Sequence, residues 1–194
     1  SESTCQQFRV GLAPKGWTSL LDAATARGIS SESLESAGLI VTGKRGIYDR
    51  FRHRLMFPIM DVRGRVIAFG GRSLDAQEPK YLNSPETPLF HKSRVLYGFD
   101  KAKLAIRKLN CAVLVEGQMD LLASHQAGWG NTVAVSGTAF SPAHAALVKR
   151  MTENIVLALD ADEAGIKAAG RAARTALQGG LNVKVAQLPA GQDP

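Results

Sequence analysis

The second half of this 194-residue chain is written as short apolar runs separated by longer helical patterns, and that alternation constrains the fold most. Ala112–Val115, Thr132–Val135, Ile155–Leu159 and Val183–Gln187 are four or five residues long, which suits buried strands. Between them lie helical patterns at Gln118–Ala127, Ser141–Met151 and Glu163–Gln178. Their ends carry chemical signals. Gly128 and Gly179-Gly180 can stop helices, and Ser141-Pro142 supplies an N-cap followed by a first-turn proline. Asp100 is expected to cap a helix running to Leu109. Strands joined through helices cannot form tight hairpins. The pattern therefore predicts an α/β domain over 100–194, a parallel sheet with helices on both faces.

Residues 1–99 read differently, as a smaller basic α+β subdomain. Helices are expected at Thr18–Arg27 and Ser31–Ala37, with Gly38 as the stop. Arg54–Ile59 and Val66–Phe69 flank Asp61–Arg65, a hairpin signal. Three prolines between Pro79 and Pro88 argue against regular structure there. Trp17 and Trp129 are expected to pack inside.

Twenty-four Lys and Arg against seventeen Asp and Glu give a formal charge of +7, which fits a polyanionic partner. Cys5 and Cys111 stand alone, so neither a disulfide framework nor a zinc site is expected within the chain. No apolar stretch approaches the ~20 residues that cross a bilayer, and no signal peptide is visible. These features predict a cytoplasmic protein without a membrane partner, and the chain's ends read as those of a fragment.

Acidic residues mark the carboxyl ends of the predicted strands, where parallel sheets place ligands. Glu116 follows the strand ending at Val115, Asp160 and Asp162 follow Leu159, and Asp193 follows the last strand. A single such carboxylate is explained by capping of the next helix. A Glu and an Asp-x-Asp at two strand ends favour a magnesium site, because that ion takes hard oxygen ligands and leaves room for phosphate.

Val115-Glu116-Gly117 and Asp160-Ala161-Asp162-Glu163-Ala164-Gly165 resemble the signature of the Toprim family. Further residues resemble bacterial DnaG-type primases. These are Arg50–Ile59, Gly64–Arg72, Pro79–Thr87, Phe90-His91-Lys92, Glu116-Gly117-Gln118-Met119-Asp120 and Gly191-Gln192-Asp193-Pro194. Gln118 departs from the tyrosine of the family motif. The resemblance implies a DNA-directed RNA polymerase that makes RNA primers on single-stranded DNA by two-metal nucleotidyl transfer. It implies catalytic Glu116, Asp160 and Asp162, and Mg2+ (or Mn2+) held by these with Asp120 and Asp193. Ribonucleoside triphosphates would meet Arg72, Lys80, Tyr81, Asn83 and Lys92, and template DNA would meet Arg50, Arg52 and Arg54, which alternate as on one face of a strand. It also implies a zinc-binding domain upstream, a replicative helicase bound through a domain downstream, and alarmone nucleotides as inhibitors. The alternatives are another Toprim enzyme, a nuclease or topoisomerase, or a DNA-binding Toprim module without activity.

Overall fold

The structure, a computed structural model, describes residues 1–44, 46–75 and 78–187. It divides into two compact units. One takes in Glu2–Ile59 and Val66–His91, and the other Ser1, Met60–Arg65 and the chain from Lys92 onward.

The first unit contains α1 (Glu2–Phe8), β1 (Gly11–Ala13), α2 (Ser19–Thr25), α3 (Ser31–Ser36), β2 (Ile40–Gly43), β3 (Gly46–Asp49), β4 (Arg54–Met60), β5 (Val66–Ser73) and β6 (Tyr81–Asn83). Both expected helices are present. Ser30 Oγ accepts the Ser33 N–H at the start of α3, and Gly38 stops that helix at φ 68°. The N–H groups of Leu20 and Leu21, free at the first turn of α2, instead meet the buried Asp49 carboxylate at 2.6 and 3.1 Å. The β4–β5 hairpin forms as expected, and the four-stranded sheet runs β1-β4-β5-β6.

Two expectations fail here. The prolyl stretch holds a strand, because β6 fits between Pro79 and Pro85 and pairs Gly70 with Asn83 and Arg72 with Tyr81. Buried Ser84 extends the pairing through its own N–H and its hydroxyl, both bonded to Phe69. Prolines exclude a central strand but permit a short edge strand between them. Second, Arg50, Arg52 and Arg54 do not share one strand. β4 begins at Arg54, and His53 before it has φ 50°, which breaks the extended alternation.

The second unit begins with a 3₁₀ turn at Lys92–Arg94. It continues through α4 (Phe99–Leu109), β7 (Ala112–Val115), α5 (Gln118–Gln126), β8 (Thr132–Ala134), α6 (Pro142–Lys149), β9 (Asn154–Leu157), α7 (Glu163–Gln178) and β10 (Asn182–Val185). The four strands pair in parallel in the order β10-β9-β7-β8, and Tyr97 adds one antiparallel bridge to Ala134 of β8. Leu114, Val133, Ile155 and Leu157 form the core with Ile106 of α4, Val148 of α6 and Ala176 of α7. Each large aliphatic fully buried here stabilises the fold by ~1.5–3 kcal/mol. Ser141 caps α6 as expected, while His144 Nδ1 accepts the Ser141 N–H in return. Asp100 does not cap α4. The N-cap is Gly98 at φ 76°, and Asp100 lies inside the first turn paired with Lys101. A left-handed N-cap requires glycine, and that signal outranks the aspartate two residues on.

No helix among the described residues is long and apolar enough to cross a membrane.

Candidate active site and nucleic-acid residues

Glu116 is the first residue beyond β7, at the carboxyl end of the sheet. Its carbonyl accepts the Ser136 N–H beyond β8 at 2.9 Å, so the neighbouring strand fixes its backbone. Gly117 follows because its N–H reaches Asp120 Oδ2 at 2.9 Å, and a Cβ on it would stand 2.8 Å from that oxygen. Asp120 thereby starts α5.

The Asp160-x-Asp162-x-x-Gly165 segment has a similar logic. Asp162 is the N-cap of α7, and its Oδ1 accepts the Gly165 N–H at 2.7 Å. A Cβ at Gly165 would lie 2.1 Å from the Asp160 carbonyl oxygen. Only glycine lets the helix start this close to the loop that carries Asp160.

The four acids share one electrostatic environment. The Glu116 carboxyl is pushed above its ordinary pKa by burial, then by Asp160, and further by Asp162 and Asp120, against one backbone hydrogen bond from Asp160. Its Oε1 is buried without a hydrogen-bond partner among the described residues. Yet no three His, Cys, Asp or Glu side chains among the described residues stand close enough to enclose a metal ion. Both observations hold, because charges act on one another beyond the range of chelation. Asp193 lies outside the described residues.

The residues expected at nucleotide and template divide between the units. Lys92 belongs to the second, where its carbonyl meets His144 Nε2 at 3.0 Å. Arg72, Tyr81 and Asn83 gather on the paired strands β5 and β6, with Lys80 just before β6 and the Arg72 guanidinium 5.8 Å from the exposed Tyr81 ring. Arg50 donates to the Asn83 carbonyl at 3.0 Å. Arg54 is 7% exposed and directed at the carbonyls of Gly71, Pro79 and Lys80, so its guanidinium holds β6 in place.

Arg52 identifies residues that sequence reasoning missed. Its guanidinium lies 4.3 Å from the Trp17 ring centroid and 5.0 Å from that of Tyr48, and it donates to the Asp49 carbonyl. Trp17 is 65% exposed rather than packed inside. These three side chains line an open cavity of about 710 Å³ with Lys44. A tryptophan between two loop signals, Pro14-Lys15-Gly16 before it and Thr18-Ser19 after it, was the available clue. Trp129 is likewise 61% exposed, against expectation.

Residues 1–103 match the family model for the DNA primase catalytic core, N-terminal domain, and residues 113–194 match a Toprim-like model. The chain belongs to the DNA primase catalytic-core family. It is 48% identical to the DNA primase of Synechococcus elongatus over 99% of this chain and 29% of that protein. It is 44% identical to a Staphylococcus aureus DNA primase over all of this chain and 33% of that one. The chain thus spans about a third of the primases it resembles. Among solved structures, the RNA polymerase domain of Mycobacterium tuberculosis primase superposes with a TM-score of 0.91 at 40% identity, covering all of this chain and 66% of that one. A DnaG primase catalytic domain bound to single-stranded DNA gives 0.90 at 44% identity, covering 62% of that chain. The antiparallel part lies within the first match and the parallel sheet, from Val113 of β7 onward, within the second.

Proposed function

We propose that this chain is the polymerising core of a DNA-directed RNA polymerase that makes RNA primers on single-stranded DNA. Within it, residues 1–99 handle nucleic acid and residues 100–194 carry the chemistry. The observation that carries this reading is the placing of Glu116 beside Asp160 at the sheet end of a primase-family chain, with one Glu116 oxygen buried and unpartnered.

The donor set fits a magnesium ion. That ion is commonly held by one or two carboxylates while water and substrate phosphate complete the shell, so an enclosing three-residue cluster is not required. Glu116 and Asp160 would hold it, with Asp162, Asp120 and Asp193 in support; manganese could substitute. When bound, the ion neutralises phosphate charge and favours ionisation of the attacking 3′-hydroxyl. The carboxylates fix where that charge stands. Lys80, Arg72 and Lys92 offer cations to the triphosphate, Tyr81 a ring face, and Asn83 an amide.

Trp17, Tyr48 and Arg52 provide aromatic faces and a guanidinium for template bases and phosphates, with Arg50 beside them. One similar primase domain is described as bound to single-stranded DNA and another as bound to double-stranded DNA, which supports DNA as the partner. A replicative helicase, zinc and alarmone inhibition belong to this reading through regions or ligands beyond this chain, as does a cytoplasmic site at the replication fork.

The test is primer synthesis by the intact protein on single-stranded DNA with ribonucleoside triphosphates and magnesium. Asp160→Asn keeps the side-chain volume, removes the charge, and is expected to abolish products while the unfolding free energy stays within ~0.5 kcal/mol of the parent. Undiminished synthesis by that variant refutes the assignment. Shortening of labelled DNA without triphosphates identifies a nuclease instead.

A further inference from the structure

A second cavity, of about 400 Å³, opens in the α/β unit on the side of the sheet that faces α6 and α7. Glu116 forms one part of its wall and Arg171 of α7 another. Leu114, Leu159 and Phe140 supply apolar surface between them, and Thr138 a hydroxyl. The loop that closes it turns at Ser136 and Gly137, both with positive φ, and is tied to the Glu116 carbonyl through the Ser136 N–H. Arg171 lies on the exposed face of α7 with Arg174 nearly one turn further on. Neither forms an ion pair among the described residues.

This cavity has a polarity. A carboxylate belonging to the proposed catalytic cluster stands at one part, a guanidinium at another, and a largely apolar wall joins them. Nine helical steps separate Asp162 from Arg171, a rise of about 13.5 Å along the helix. Starting a chain without a primer requires two nucleotides at once. The 3′-oxygen of the first bonds to the α-phosphorus of the second. The bond from that phosphorus to its bridging oxygen breaks, pyrophosphate leaves, and the hydroxyl proton passes to solvent. The first nucleotide must therefore turn its ribose 3′ edge toward the carboxylates and its own 5′-phosphates away from them.

We propose that the cavity between Glu116 and Arg171 is the subsite for the initiating ribonucleoside triphosphate. The ribose lies against Leu159 and Phe140, the base keeps its pairing edge outward for the template, the 3′-hydroxyl faces Glu116, and the 5′-phosphates reach Arg171 and Arg174. The proposal rests on the polymerase reading above and adds to it the seat of one of the two substrates.

The test uses the intact protein on a single-stranded template whose first two coded nucleotides differ, so that each substrate's KM is measured alone. Arg171→Ala is expected to raise the KM of the first nucleotide about tenfold, the size of one lost charge-assisted hydrogen bond, and to leave the KM of the second unchanged. It should also remove the advantage of a 5′-triphosphate over a 5′-hydroxyl nucleoside as the first residue, and Arg171→Lys should restore part of it. Ala168→Phe, which fills the cavity from α7, should raise the same KM while thermal unfolding reports an intact fold. Unchanged first-nucleotide KM in both Arg171→Ala and Ala168→Phe, or equal rises for both nucleotides, overturns the proposal while leaving the polymerase reading standing. A parent protein that joins no two nucleotides overturns both.

Discussion

Gly165→Ala and Gly170→Ala make one chemical change five residues apart in α7, and they should move stability in opposite directions. At Gly170 an added Cβ meets nothing within 4 Å, and the residue is exposed in mid-helix. Alanine there gains the propensity difference, about 0.5–1 kcal/mol. At Gly165 the same Cβ falls 2.1 Å from the Asp160 carbonyl oxygen, a backbone atom that no rotamer change removes. Helix or loop must move by more than 1 Å to reach ordinary contact, and strain of this kind costs about 1–3 kcal/mol. The movement also lengthens the 2.7 Å cap from the Gly165 N–H to Asp162, worth about 1 kcal/mol more. The net expectation for Gly165→Ala is a loss of about 1–3 kcal/mol, against a gain of up to about 1 for Gly170→Ala. At roughly 2–4 °C per kcal/mol, the midpoints should separate by at least about 3 °C. Thermal unfolding followed by circular dichroism measures both, and primer synthesis should fall further in Gly165→Ala than its stability does. Equal shifts of the same sign would refute the claim that the Asp160 loop dictates a glycine.

Arg54→Ala should destabilise by about 1–3 kcal/mol in urea unfolding, because it removes the charged donor to the Pro79 carbonyl at 2.9 Å and its longer contacts to Gly71 and Lys80, while the Lys80 carbonyl keeps the Ser73 N–H. Trp17→Ala and Arg52→Ala should each weaken single-stranded DNA binding severalfold with little change in unfolding, and the slope of log affinity against log salt should flatten for Arg52→Ala alone. Burial lowers the pKa of His144, and of His125, below the ordinary histidine value. The unfolded chain therefore takes up protons that the folded chain does not. This contribution to stability is complete above about pH 6.5 and declines as pH falls from there toward the folded values. Urea midpoints between pH 7 and 5 should decline in the parent and decline less in His144→Gln.

The α/β half was legible because each of its elements is announced by more than one signal. The strand at Ala112–Val115 is apolar throughout and buried except at half-buried Val113, and α6 carries both a serine cap and a first-turn proline. The sheet end was legible for the same reason, since Glu116 and the Asp160-Ala161-Asp162 segment follow unmistakable strands. What failed depended on contacts distant in sequence. Arg54 looks like Arg50 and Arg52 in sequence, and only the backbone of Gly71, Pro79 and Lys80 makes it a buried strut. Trp17 has the composition of a core residue, and only the Arg52 guanidinium over its exposed ring marks it as a surface platform. Asp100 has the chemistry of a cap and loses the position to a left-handed Gly98.

Asp120 and Asp162 each begin a helix with one carboxylate oxygen. Alanine at either position removes a fold contact along with a charge, so an inactive alanine variant says little about chemistry. Asparagine or serine keeps an acceptor for the helix start and is the informative change. The same coupling bears on descent. A lineage that abandoned polymerisation would be free to lose the charge at 162 but would still need an acceptor there. A polar residue surviving at that place in a silent relative would record how a helix begins, and would carry no memory of a metal.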